Sequence, residues 1–208
     1  MNKFLFVDTL TTGMNPERCA IYRLGALYVE DGVEKKALDI KVRPYNNARI
    51  SQQSLWIGGE TRSTLIHYPS EDSAFGDLLS FLNAVVDVRN SRDKIYIGGY
   101  NCSAFDIPFL REWFIRMDNQ QFRNYFNVQS LDMMNIAAMA LISKRESLPD
   151  FQMQSVASYL GIHTIEEEKY DCLQNARTAL KIYRKLQTAF GLGICQDESE
   201  TEDVTRNY

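Results

Sequence analysis

The segment Lys3 to Asp8 (KFLFVD) is apolar at consecutive positions, the pattern of a strand buried on both faces. It predicts a strand that stops at Asp8, with a turn at Gly13. Residues 20–31 (AIYRLGALYVED) and 33–44 (VEKKALDIKVRP) read as two further strands, and the dipeptide Asp31-Gly32 between them is a hairpin signal. A loop-rich stretch with short helical pieces follows. Apolar residues then recur at helical spacing over 72–88. A fourth strand is expected at 94–101, a helix from about 104 to 115, a short strand at 126–132 and a helix at 133–143. Another helix spans 151–162, stopped by Gly161, and a last one runs from about 171 to 190. Three consecutive strands, then strands alternating with helices, predict an α/β fold with a mixed five-stranded sheet. An antiparallel meander comes first and parallel crossovers follow.

The 208 residues suffice for one domain with its own core. With 45% hydrophobic and 24% charged residues, the composition is that of an ordinary globular chain. No apolar run is long enough to cross a bilayer, and MNKFLFVD lacks a signal-peptide core, so no membrane partner and a cytoplasmic location are expected. Cys19, Cys102, Cys172 and Cys195 are scattered without a CxxC pair, which argues against a disulfide framework or a zinc site. The net charge of −4 resides in residues 196–208, which hold five acids and one arginine. The remaining 22 bases and 22 acids balance, so no strongly basic nucleic-acid surface is announced. The boundaries expected are a domain over 1–195 and a disordered acidic tail over 196–208.

Candidate chemistry lies at three stations. Asp8 ends the first strand in FVDTLTTG. Asp106 follows the fourth in GGYNCSAFDIPFL. The last helix opens with YDCLQNARTAL. In an open α/β sheet, ligands gather outside the carboxyl ends of the strands, where two aspartates could hold a divalent cation. Position 10 shares a face with Asp8 and would supply a further carboxylate to such a site, but it is leucine.

These three segments, in this order, resemble the motifs D-x-E-T-T-G, G-H-N-x-x-F-D-x-x-F-L and H-D-A-L-x-D-A-x-x-T of DnaQ-like 3′–5′ exonucleases. That family is the histidine-type branch of the DEDD superfamily and has the three-layer RNase H-like fold. SLDMMNIA and FQMQSVASYLGI resemble the connecting segments, and the likeness runs from about residue 3 to 190. The resemblance implies four carboxylates holding two magnesium ions about 4 Å apart, with a histidine as general base. Asp8 and Asp106 match two of the carboxylates. Leu10 stands at the glutamate, Tyr170 at the histidine and Asn175 at the last aspartate. A tyrosine-type subfamily would place its aspartate at position 174, which is glutamine, so the spacing is that of the histidine type. Thr11, Thr12, Gly13, Asn101 and Phe105 match positions that shape the pocket for a terminal nucleotide.

Magnesium needs hard, anionic oxygen ligands. With Asp8 and Asp106 alone, no cofactor is expected, or at most one weakly held Mg2+ or Mn2+. A tyrosine is a poor base at neutral pH. The first reading is therefore an exonuclease-like protein with a degenerate site, little or no hydrolysis, and retained binding of a single-stranded nucleic-acid 3′ end, a nucleotide or a protein. A second reading is an active metal-dependent exonuclease remodelled around Asp8, Asp106 and an acid such as Asp171. A third is a structural or interaction module with a filled cleft. Leu10 and Tyr170 read most simply as the apolar and aromatic side chains filling it. Glu166, Glu167 and Glu168 read as acids before a helix start, and His67 and His163 as surface or packing residues rather than a relocated base. Arg177, Lys181, Arg184 and Lys185 form a stripe opposite the apolar face of the last helix, read first as a solvated face and second as a phosphate track.

Overall fold

The computed structural model describes residues 2–165 and 170–189. The acidic run Glu166 to Glu168, Phe190, Cys195 and the predicted tail at 196–208 lie outside the described residues. Three strands open the fold: β1 (Lys3–Thr11), β2 (Ile21–Glu30) and β3 (Val33–Lys41). Two short helices, α1 (Gln52–Ile57) and α2 (Arg62–Leu65), lead to α3 (Glu71–Asn83). Then come β4 (Ile95–Gly99), α4 (Asp106–Arg116), α5 (Phe122–Tyr125) and β5 (Phe126–Asp132). The chain continues with α6 (Met133–Leu141), a 3-10 turn (Ile142–Ser147), α7 (Met153–Tyr159) and α8 (Cys172–Ala189).

The sheet order is β3-β2-β1-β4-β5. The pairs β1–β2 and β2–β3 are antiparallel; β1–β4 and β4–β5 are parallel. This is the meander followed by crossovers expected of the RNase H-like fold. The β2–β3 hairpin turns on Asp31 and Gly32, both at positive φ (48° and 82°), as a tight right-twisted hairpin requires.

Each face of the sheet owns a core. Leu5 and Val7 of β1 join Leu24 and Ala26 of β2 against Phe75 and Leu78 of α3 and Phe109 and Trp113 of α4. Phe6 of β1 joins Leu27 and Val29 of β2 against α6, α7 and α8 through Ala137, Val156, Ala176 and Leu180. Alternate residues of the central strand thus report to opposite helical layers, the period-two rule of a strand buried on both faces. Gly25 of β2 lies directly under the first turn of α8. A Cβ there would stand 2.3 Å from the Cys172 carbonyl carbon.

Several boundaries differ from expectation. β1 continues three residues past Asp8 because Thr9, Leu10 and Thr11 still pair with Leu24, Arg23 and Ile21 of β2. The helix expected to reach 88 stops at Asn83. Beyond it, Asp87 and Asp93 side chains accept the amides of Arg89 and Asp87, which favours a turn over continued helix. α7 ends where Gly161, at φ 70°, allows the left-handed exit that was expected of it. The short α5 before β5 was not legible in the pattern.

Candidate functional site

Asp8 lies on the sheet face that carries α8, and Asn175 of α8 donates its Nδ2 to Asp8 Oδ2 at 3.2 Å. Thr9, one residue on, faces the other layer and donates its hydroxyl to Asp106 Oδ1 at 2.7 Å. Asp106 opens α4 and is only 3% exposed. Burial pushes the Asp8 carboxyl up to about 6, against the hydrogen bonds from Asn175 and the Cys172 thiol. Burial and then the nearby Asp8 charge push Asp106 well above the ordinary carboxylate range. The charge of Asp8 thus disfavours ionisation of Asp106, which brings the two carboxyls into one site.

Asn175 joins them, and Leu10 follows Asp8 on the same face of β1. Leu10 packs into a third, small core with Tyr22, Leu55 and Leu65, beneath α1. A β-bulge makes this core: Leu10 pairs with Arg23 and Thr11 with Ile21, so Tyr22 is left over and swings toward α1. Tyr170, two residues before the start of α8, is 42% exposed.

Asp171 is committed to architecture. Its Oδ1 caps α8 by accepting the Gln174 amide (3.0 Å), and its Oδ2 pairs with Arg23 (2.8 Å). Burial raises this carboxyl, but the Gln174 amide and the Arg23 charge outweigh it and hold the group below its ordinary value. Arg23 also grips Asp39 of β3 through two hydrogen bonds, so it ties the start of α8 to the sheet. In the expected basic stripe, Arg177 pairs with Glu34 (3.0 Å) and Arg184 donates to the Gly32 carbonyl (2.7 Å). Those two clasp the β2–β3 hairpin, a role that neither the solvated-face nor the phosphate-track reading named.

The pocket positions are mixed. Thr11 and Thr12 are buried, and their hydroxyls are spent on the Gly13 and Arg49 carbonyls (2.7 and 2.6 Å). Gly13 is needed where it stands, since a Cβ would meet Cys19 Sγ at 2.6 Å. Asn101 is exposed at φ 61°, and the Phe105 ring packs at a tilt against Phe109 with centroids 5.1 Å apart. Sequence reasoning passed over Thr9, Arg23 and Cys172, and also Trp56, which is 77% exposed on α1 beside the Leu10 core. Thr9 and Arg23 were recoverable only from strand register.

The implied metals can be tested against this donor set. It offers two carboxylates and an amide whose N–H already points at Asp8 Oδ2. Among the described residues no group of three or more His, Cys, Asp or Glu side chains is placed to hold a metal ion. Two magnesium ions, each wanting about six oxygens with anionic charge, do not fit these residues. Nor is any helix among the described residues long and apolar enough to cross a membrane.

Residues 5–183 match the family described as exonuclease (RNase_T). The PolC-type DNA polymerase III of Thermotoga petrophila is 23% identical over 181 residues, covering 86% of this chain and 11% of the polymerase. The fold is shared with E. coli exonuclease I. Its complex with a dT13 oligonucleotide superposes with a TM-score of 0.74 at 17% identity, covering 92% of this chain and 42% of the enzyme. A dA16 complex of the same enzyme gives 0.73 at 17% identity, with the same coverage. The chain therefore spans less than half the length of each of these relatives.

Proposed function

We propose, from the premise that this chain belongs to the exonuclease family, that it is a member with an impaired catalytic centre that still receives a single-stranded nucleic-acid 3′ end. The observation that carries this reading is the Asn175 amide donated to Asp8 Oδ2. That N–H takes a lone pair a metal ion would need. It stabilises the carboxylate with a neutral hydrogen bond where the family pattern has a third negative group. Leu10 adds no ligand, its side chain being a hydrocarbon packed against Tyr22, Leu55 and Leu65. Tyr170, at the family's histidine position, is a weak base at neutral pH.

Support for retained binding comes from the frame around the two carboxyls. Asn101 takes the left-handed conformation in the loop before α4, and Thr9 holds the Asp106 carboxyl at the start of that helix. Trp56 offers an exposed indole on which a base can stack. The E. coli relative is solved with single-stranded dT13 and dA16, which makes a single strand the first ligand to try.

One observation favours a second reading, that of a residual one-ion nuclease: Asp8 and Asp106 remain adjacent. Asp171, the acid first considered for such a site, is taken by Arg23 and the α8 cap. The deciding experiment follows 5′-labelled single-stranded DNA and RNA in magnesium, manganese or chelator, alongside binding of the same strands in chelator. The expected result is salt-sensitive binding without shortening. Metal-dependent shortening that disappears in the Asp8→Ala, Asp106→Ala double variant would overturn the impaired-centre reading in favour of the one-ion nuclease.

A further inference from the structure

At the end of β5 lies a third aspartate that the family motifs do not include. Asp132 is 5% exposed. Its Oδ1 accepts the amides of Asn101 (3.0 Å) and Met134 (3.0 Å). Its Oδ2 accepts the amide (3.0 Å) and the hydroxyl (2.6 Å) of Ser103. One carboxyl group therefore closes the first turn of α6 and, from the same place, holds two backbone points of the loop that leaves β4.

That loop carries the site. Asn101 takes the left-handed conformation (φ 61°), which lacks the support of regular secondary structure and needs local hydrogen bonds to persist. Cys102 is fully buried and anchors the loop from below. From there the backbone winds directly into α4: the Phe105 amide bonds to the Asn101 carbonyl (3.2 Å) and the Ile107 amide to the Cys102 carbonyl (2.9 Å). Asp106 lies inside those closures, with Thr9 holding its carboxyl from β1. The loop is fixed from β5 at one end and from β1 at the other.

We propose that Asp132 is a positioning residue for the cleft: by clasping Asn101 and Ser103 it sets the loop that presents Asn101 and Phe105 to a single-stranded ligand and leads into α4 at the buried Asp106. The proposal rests on the binding reading above and adds to it a residue that touches no ligand itself.

The test compares Asp132→Asn with the wild-type chain and with Asp93→Ala. In the Asn variant one oxygen still serves Asn101 and Met134, while an amide faces Ser103. Asp93 holds Lys3 (2.7 Å) and the Asp87 amide (2.8 Å) at the opposite end of the sheet, so its loss lowers stability without touching the cleft. The readouts are amide hydrogen exchange and the affinity for a fluorescent oligothymidine strand in chelator. The expected result for Asp132→Asn is roughly tenfold faster exchange at Ser103 and roughly tenfold weaker binding, with Met134 unchanged. Asp93→Ala should melt earlier yet bind as the wild type does. Unchanged affinity in Asp132→Asn, or an equal loss in Asp93→Ala, overturns the proposal. If the wild-type chain leaves the oligothymidine unbound, the proposed function falls separately. Exchange at Ile107 then decides the positioning role: faster in Asp132→Asn supports it, and unchanged overturns it.

Discussion

Replacing Asp8 by Asn should make the protein more stable at neutral pH, and by an amount that depends on pH. The Asp8 carboxyl ordinarily titrates at 3.8 and is pushed to about 6 in the fold, chiefly by burial. The folded state therefore holds a proton that the unfolded chain has already released between those values. Stability contributed by that proton is fully present below pH 3.8, declines as pH rises through the interval, and is gone above about 6. At ~1.4 kcal/mol per pH unit, the interval of roughly two units is worth about 3 kcal/mol. The asparagine carries no such titration, and its side-chain oxygen can still accept from Asn175. Chemical denaturation of both proteins at half-unit steps from pH 4 to 8, in chelator, checks the reasoning. The difference in unfolding free energy should be small near pH 4 and grow to about 2–3 kcal/mol in favour of Asp8→Asn by pH 7. A difference that stays flat across that range, or grows in the opposite direction, would refute the claim that burial leaves this carboxyl at a disadvantage when charged.

Three other outcomes are expected. Returning two family carboxylates, by Leu10→Glu with Asn175→Asp, should destabilise the protein in chelator and let magnesium or manganese recover part of the loss; thermal melts with and without metal read this, and a metal-independent melting temperature counts against it. Gly25→Ala should cost about 2–4 kcal/mol, because the new methyl would lie 2.3 Å from backbone of α8 that cannot easily retreat; the measurement is a denaturation midpoint. Arg23→Ala should cost about 1–2 kcal/mol and speed amide exchange in the first turn of α8, since Asp171 and Asp39 both lose their partner; unchanged exchange at Gln174 would contradict it.

The order of elements and the two carboxyls were legible in the chain because both depend on local pattern. Buried apolar runs, a hairpin dipeptide and an aspartate closing an apolar run are each visible in a few residues. What was hidden depends on register. Arg23 lies opposite Leu10 only because β1 and β2 pair as they do, and the bulge at Tyr22 then turns that ring toward α1, into the small core that Leu10 packs against. No local window shows that Thr9 would reach Asp106, since 97 residues separate them. Asp132 is different. It ends its strand, as the apolar run before Asp8 led one to expect of Asp8, so the reasoning that singled out Asp8 applies equally to FNVQSLD. The exposure of Tyr170 could not be read from its aromatic character alone.

The alternation of β1 between two layers has a kinetic side. Asp8 is closed by Asn175 across 167 residues of chain and Asp106 by Thr9 across 97, each from a different helical layer. Contacts of such long sequence separation are closed at high entropic cost and come late in folding. The cleft therefore exists only once both layers have docked on the same strand, and it serves as a checkpoint for complete assembly. During refolding, affinity for a single strand should return with the slowest phase, after the helical signal has already been regained.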